Sequence, residues 1–184
     1  GSERRFACVS DRAAYNALVM DTPITTTWLM TPRPGMDAAS RRCFELLSFT
    51  VDGEEMPIRR TEHEGGQTYI VDAFVATAAG NPVRIRHVYR TVTPAWGHRI
   101  YVELPQPARG FSFDLDYTNT SIDSVSVTDM AANGRAAQIV PSPKRAAGRS
   151  LSLRAPGWLL SKSGFAIVWT LEDELPQSKS AEAA

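Results

Sequence analysis

The chain has 184 residues, of which 43% are hydrophobic and 22% are charged, and its 20 basic residues balance its 20 acidic ones. This length suits one domain whose core needs neither disulfides nor metal. The balanced charge argues against a dedicated nucleic-acid-binding protein, because such proteins usually carry a basic excess. No apolar run reaches the roughly 20 residues that cross a bilayer, and no signal peptide is evident, so we expect a soluble, cytoplasmic domain without a membrane span.

The first 43 residues are predicted to contain the one helix of the fold. Gly1-Ser2 is typical of the scar left when an expression tag is cleaved. Ser10 is a suitable N-cap for a helix over 11–20, and the three threonines of 24–30 favour a strand. Residues 3–43 are therefore predicted to form a helix and a lead-in strand that pack on the domain.

Strands and turn signals alternate from Phe44 onward, and Asp52-Gly53 is typical of a hairpin turn. The predicted strands are 44–51, 55–60, 68–77, 82–93, 98–104, 111–117, 122–129, 138–140, 151–153 and 164–171. The sequence thus predicts a mainly β fold, an antiparallel β-sandwich of about nine or ten strands with one N-terminal helix. Its core spans 44–174, and 175–184 form a disordered tail.

Residues 81–129 show the clearest alternation of inward and outward side chains, with the period of two that half-buried strands require. Two hairpins are predicted here, one joining 82–93 to 98–104 and the other joining 111–117 to 122–129. The alternation also predicts a shared core of seven side chains. These are Phe111, Phe113, Leu115, Tyr117, Phe165, Ile167 and Trp169.

The first of these hairpins supplies the candidate ligand-binding residues. These are Arg86, Arg90, Arg99 and Tyr101. With Pro94–Gly97 as the loop, the antiparallel register pairs Arg90 with Tyr101 and brings all four side chains to one sheet face. Guanidinium groups beside an aromatic ring can hold an anionic small molecule, because arginine offers paired donors and a stacking plane. The alternative is an ordinary solvated face on which Glu103 pairs with Arg90.

Motifs for other chemistry are absent from the sequence. Cys8 and Cys43 lack the spacing of a metal site, and we expect two reduced thiols. Asp114 and Asp116 project from the same side of a predicted strand, which does not wrap around a calcium ion. No catalytic nucleophile motif or nucleotide-binding loop is present. The sequence therefore predicts no metal site, no cofactor and no catalytic residue.

The function most consistent with these patterns is non-enzymatic. We expect a ligand- or partner-binding module, the sensory part of a larger protein, which recognises an anionic small molecule or a protein partner. Arginine outnumbers lysine by seventeen to three, which favours a bacterial origin with a GC-rich genome. Two alternatives stay open. One is a hydrolase whose active site assembles in three dimensions, and the other is a structural or oligomerisation domain that pairs through an edge strand.

Overall fold

A computed structural model describes residues 3–21, 25–73, 83–104, 107–130, 137–143, 148–161 and 163–175. The chain divides into two compact units, Gly1–Val92 and Thr93–Ala184, which we call the N-terminal unit and the C-terminal unit. Each unit has its own sheets, whereas one core was predicted across 44–174. The predicted scar at 1–2 and most of the predicted tail, 176–184, lie outside the described residues.

The described residues of the N-terminal unit form seven strands and one α-helix. They are β1 (Glu3–Val9), α1 (Arg12–Asp21), β2 (Thr25–Leu29), β3 (Phe44–Val51), β4 (Glu54–Glu55), β5 (Ile58–His63), β6 (Gly66–Asp72) and β7 (Ile85–Thr91). One sheet has the order β2-β1-β6-β5 and the other the order β4-β3-β7. β1 and β2 run parallel because α1 crosses between them, and the other pairs are antiparallel.

Local sequence signals account for the start of α1 and for one turn. The Asp11 carboxylate accepts a hydrogen bond of 2.7 Å from the Ala14 amide, so Asp11 caps the helix where Ser10 was predicted to do so. Asp52 and Gly53 both have positive φ, as a two-residue hairpin turn requires. The predicted turn is confirmed there, but the predicted partner strand 55–60 is not. Only Glu55 of that range pairs with β3, as part of β4, and 58–60 belong to β5 in the other sheet.

One apolar cluster joins the two sheets of this unit. Its fully buried or nearly buried members include Phe6, Cys8, Cys43, Phe44, Leu46, Phe49, Val51, Tyr69 and Val71. A bulge in β3 at Leu47 lets Leu46 and Phe49 both face this cluster, while Leu47 itself is half exposed. Phe44 and Phe49 therefore project toward the same interior as Phe6 on the facing sheet.

The segment that leads into β3 is held by a buried amide. Gln67 is fully buried on β6 and donates hydrogen bonds to the carbonyls of Ala38 and Ser40. Its side-chain oxygen accepts a hydrogen bond of 2.9 Å from the Tyr69 hydroxyl. Because each of these polar groups is paired, burial costs little, and the start of β3 at Phe44 is well positioned.

In the C-terminal unit, six strands are found among the described residues. They are β8 (Arg99–Glu103), β9 (Ala108–Asp116), β10 (Ile122–Asp129), β11 (Gln138–Pro141), β12 (Ser150–Leu159) and β13 (Gly164–Leu171). They form two antiparallel three-stranded sheets, with the orders β10-β13-β8 and β11-β12-β9. A second apolar cluster, with Leu153, Leu159 and Phe165 at its centre, draws side chains from both sheets.

Most of the predicted core set lies inside this unit. Phe165, Ile167, Trp169 and Tyr117 are buried, as predicted. The other three, all on β9, are only partly buried because β9 is an edge strand with a neighbour on one side. The rings of Phe111 and Phe165 nevertheless stack at 5.6 Å.

Both predicted hairpins within 81–129 are wrong. β7 pairs with β3 and β8 with β13, while β9 pairs with β12 and β10 with β13. Alternation specifies which face of a strand is buried but not which strand lies beside it. The fold is mainly β with one helix, as predicted, but its sheets have three or four strands each, and the predicted sandwich of nine or ten strands is not confirmed. In the described part of the chain, no helix has the length and apolar character of a membrane span.

Candidate functional site

The four arginine and tyrosine candidates fall on two sheets. Arg86 and Arg90 lie on β7 in the N-terminal unit, whereas Arg99 and Tyr101 lie on β8 in the C-terminal unit. β7 and β8 are neighbours in neither sheet, so the hairpin face on which the four were expected to meet does not form. Ligand binding by these four residues stays a prediction, but the shared hairpin face on which it was based is absent.

On β7, Arg90 has a carboxylate partner other than the one expected. Its guanidinium donates to Glu45 on β3 at 2.6 Å, in a register that places these two residues opposite each other. Arg86 is exposed and lies opposite Thr50 on the same outer face. On β8, the ring of Tyr101 lies close over Gly164 of β13.

Asp114 and Asp116 of β9 are held in surface interactions. Asp114 accepts hydrogen bonds from Ser152 at 2.6 Å and from Arg154 at 3.0 Å. Asp116 accepts from the hydroxyl and the amide of Thr118, and these hydrogen bonds lower the pKa of Asp116. Both carboxylates thus belong to an ordinary solvated strand face.

The cysteines and histidines are dispersed. Cys8 and Cys43 are buried and free, and burial raises the pKa of Cys8 to about 12, so its reactive thiolate form is suppressed. His98 contacts the Trp169 carbonyl and the Glu174 carboxylate. Across the residues that the structure describes, no three His, Cys, Asp or Glu side chains gather as a metal site would require.

Four aromatic rings of the N-terminal unit make a closed circuit of contacts. Phe6 comes from β1, Trp28 from β2, and His87 and Tyr89 from β7. Ring centroids are 6.4 Å apart for Phe6 and Trp28 and 4.9 Å apart for Trp28 and Tyr89. His87 closes the circuit, at 6.0 Å from Tyr89 and 5.2 Å from Phe6. We call these four side chains the aromatic quartet.

Two buried rings of β3 pack against the core side of the quartet. Phe44 lies 4.3 Å from Trp28 and 5.8 Å from Tyr89, and Phe49 lies 6.1 Å from Phe6, measured between ring centroids. Both phenylalanines are almost completely buried. The quartet is therefore a continuation of the apolar core and has fixed ring positions.

The quartet lies where the core reaches the surface. Trp28 and Tyr89 are partly exposed and His87 is exposed, while Phe6 is buried. Among the described strands, β2 and β7 each lie at the edge of their sheet, and together they carry three of the four rings. Rings from two facing sheets thus line one edge that is accessible from solvent.

Three of these rings carry polar groups that have no partner in the described chain. The Trp28 indole nitrogen, the His87 ring nitrogens and the Tyr89 hydroxyl make no hydrogen bond with any described residue. The Trp28 and Tyr89 groups are not sealed from solvent. They are therefore available to a bound molecule.

The rings packed around His87 and Tyr89 displace water from both side chains, although His87 keeps exposed surface, and this partial desolvation affects the two titratable groups in opposite directions. Desolvation lowers the pKa of His87, so the imidazole is neutral near pH 7. Burial raises the pKa of Tyr89 to about 12, so its hydroxyl stays protonated and can donate a hydrogen bond. At neutral pH the quartet carries no charge.

A cation lies on the same side of β1 as the quartet. Arg4 is two residues before Phe6, and the two lie opposite Val71 and Tyr69 of β6, both buried in the cluster. Side chains that face each other across a ladder point to the same sheet face. Arg4 is partly buried and makes no hydrogen bond or ion pair with any described residue, and its desolvation lowers its pKa.

Sequence patterns predicted only part of this arrangement. The alternation within 81–129 puts His87 and Tyr89 on one face of β7 and Arg86 and Arg90 on the other. Ring contacts with Phe49 and Phe44 show that the face of His87 and Tyr89 is the one that meets the apolar cluster. β1 was not predicted, because three charged residues precede a run of four apolar residues, Phe6–Val9, which is buried on both faces and shows no alternation. No local signal in the sequence therefore places Arg4 beside the aromatic rings.

Comparison of the chain with protein-family models, with curated proteins and with solved structures gave no match.

Proposed function

We propose that this chain is a non-enzymatic ligand-binding module, the sensory part of a larger bacterial protein, and that the aromatic quartet is its binding site. The observation that supports this most strongly is the closed circuit of four rings at an accessible core edge, with three polar groups unused by the described chain. Small-molecule sites are typically apolar and aromatic surfaces with a few placed polar groups.

The arrangement supports binding better than catalysis. Its polar groups are an indole nitrogen, a neutral imidazole and a phenol, each from a rigid ring. No described serine or cysteine shares a hydrogen bond with His87, so a nucleophile activated by a base is not assembled there. Stacking and hydrogen bonding, in contrast, need only the groups that are present.

A second candidate function is assembly through an edge strand. β2 and β7 each lie at the edge of a sheet, and exposed edges can pair with another chain. This function predicts a stable oligomer at micromolar concentration, measured by sedimentation, that persists when His87 is replaced. A monomer would contradict it and leave the ligand-binding proposal intact.

The ligand-binding proposal is tested by a thermal-shift screen of small molecules. The screen should include nucleotides, sugar phosphates, acidic sugars, aromatic acids and neutral aromatic compounds. A ligand that binds only the folded state stabilises it by about 2.7 kcal/mol at a hundredfold excess over its dissociation constant. We expect at least one class to raise the melting temperature.

Two variants locate the site of any compound that stabilises the protein. His87→Ala removes one ring of the quartet and should abolish the stabilisation. Trp158→Ala removes an exposed tryptophan of the C-terminal unit and should retain it. If no compound stabilises the protein, or if His87→Ala responds as the wild type does, the quartet is not a binding site.

A further inference from the structure

We infer that the aromatic quartet binds a small organic anion with a planar apolar part, and that the guanidinium of Arg4 pairs with its negative group. This inference rests on the proposed function and adds the chemical class of the ligand. Two observations carry it, the position of Arg4 relative to the rings and the absence of a carboxylate partner for Arg4 in the described chain.

The strand registers place Arg4 at one end of the quartet. Along the sheet of β1 and β2, Phe6 contacts His87, and Trp28, which lies opposite Cys8, contacts Tyr89. Arg4 lies two residues from Phe6 along β1, on the side away from Cys8 and Trp28. Two residues of extended strand correspond to about 7 Å. A ligand that stacks on the rings thus has the guanidinium within one side-chain length.

The charge of Arg4 is not compensated by a neighbouring carboxylate in the described chain. A guanidinium has five N–H donors, and partial burial removes some of the water that would otherwise satisfy them. Glu3, the acidic residue next to it, lies opposite Asp72 and forms its ion pair with Arg5 at 2.8 Å. Glu45 forms its ion pairs with Arg41 and Arg90. A carboxylate, sulfonate or phosphate on a ligand would supply the missing acceptor in paired geometry.

The same facts argue against a cationic ligand. Clusters of aromatic rings can hold ammonium groups by cation–π attraction. Here, however, Arg4 lies on the same sheet face as Phe6, and the aromatic quartet itself contains no carboxylate. The described carboxylate of that face, Glu62 on β5, is already paired with Arg60. An ammonium ligand would therefore be repelled by Arg4 and would meet no unpaired carboxylate among the described residues of this face, so the charge of the site favours an anion.

Ring spacing indicates how the planar part of the ligand lies. The near-parallel pairs of the quartet, Phe6 with Trp28 and His87 with Tyr89, are separated by 6.4 and 6.0 Å. A ring inserted between two others would need about 7–8 Å, from carbon–carbon contacts on both sides. The ligand therefore stacks on the outer, exposed side of the quartet, where His87 is most accessible.

A matched pair of fluorescent probes tests the charge preference with the full chain. 8-Anilinonaphthalene-1-sulfonate carries a sulfonate, and N-phenyl-1-naphthylamine has the same rings without it. We expect the sulfonate probe to bind the wild type more tightly. Arg4→Gln should weaken its affinity about tenfold or more, the scale of a hydrogen bond to a charged group, and leave the neutral probe unchanged.

Arg5→Gln is the matched control, since Arg5 is the next residue of the same strand and points to the opposite face. It should leave both affinities at the wild-type value. Each variant is first checked for a cooperative thermal transition, because the sulfonate probe also binds partly unfolded chains. If Arg4→Gln does not fold, Arg4→Lys keeps the charge and should retain most of the preference, because only the paired donor geometry is lost.

The outcomes separate this inference from the proposed function. If the two probes bind equally and Arg4→Gln affects neither, the anionic class is wrong, while the quartet still binds ligands. If both probes bind and His87→Ala has no effect on either, the site lies elsewhere and both proposals fail. If Arg5→Gln loses the preference for the sulfonate probe just as Arg4→Gln does, the specific role of Arg4 is wrong.

Discussion

The imidazole of His87 lies in ring contact with Phe6, Phe49 and Tyr89, none of which carries a charge at neutral pH. Desolvation by these rings lowers its pKa below the ordinary value of 6.5. The unfolded chain therefore binds more protons than the folded protein as the pH falls through 6.5. Stability contributed by neutral His87 is present above that pH and is lost below it.

We predict that the free energy of unfolding is lower at pH 5 than at pH 7.5, and that His87→Phe reduces this difference. Urea denaturation at the two pH values measures it. Tyr89→Phe is the control, because a hydroxyl of pKa about 12 does not titrate in this range, and it should keep the wild-type difference. An unchanged pH difference in His87→Phe would contradict the environment assigned to His87.

Substitution of Arg90 separates ligand binding at the aromatic quartet from binding by the arginine set predicted from sequence. In the ion pair of Arg90 with Glu45 the arginine side chain is exposed to solvent, and Glu45 keeps Arg41 as a second partner. Arg90→Ala should therefore cost at most about 1 kcal/mol of stability, measured by urea denaturation. Stabilisation by an anion should persist in Arg90→Ala. Its loss would instead favour the set of Arg86, Arg90, Arg99 and Tyr101.

The contact between β8 and β13 depends on one glycine. A Cβ atom at Gly164 would lie 2.2 Å from the Val102 carbonyl oxygen and 3.0 Å from the Tyr101 ring. Gly164→Ala should lower the free energy of unfolding by about 1–3 kcal/mol, because the backbone of β8 has to move. Gly157→Ala is the control, since a Cβ atom there would meet nothing within 4 Å, and chemical denaturation compares the two variants. Equal stabilities would show that β8 and β13 are not paired in this register.

Strand faces were predictable from sequence, and strand partners were not. Phe165, Ile167 and Trp169 are buried as their alternation indicated, because that pattern is local to β13. The neighbours of β13 are β10 and β8, which no local signal specifies, since ladder partners are set by contacts distant in sequence. The site follows the same rule. Alternation indicates that His87 and Tyr89 share one face of β7, whereas Phe6 and Trp28 meet them only through a sheet arrangement that sequence does not show.

The two compact units each draw their sheets and their apolar cluster from one half of the chain. We therefore predict that damage to one core is confined to its own unit. Phe165→Ala should destabilise the C-terminal unit by about 3–5 kcal/mol through lost burial and a cavity. Hydrogen exchange followed by mass spectrometry should show faster exchange in β12 and β13 and unchanged exchange in β1 and β3. Equally faster hydrogen exchange in both units would show that the two units unfold together.

Binding at the aromatic quartet can be observed directly through the four tryptophans of the chain, Trp28, Trp96, Trp158 and Trp169. Each indole N–H gives one resonance in a ¹H–¹⁵N correlation spectrum, and Trp28→Phe identifies the signal of Trp28. Titration with 8-anilinonaphthalene-1-sulfonate, or with a compound that raises the melting temperature, should shift the Trp28 resonance most strongly and saturably. Shifts confined to Trp96, Trp158 or Trp169, or a Trp28 signal that stays in place at saturation, would contradict ligand binding at the quartet.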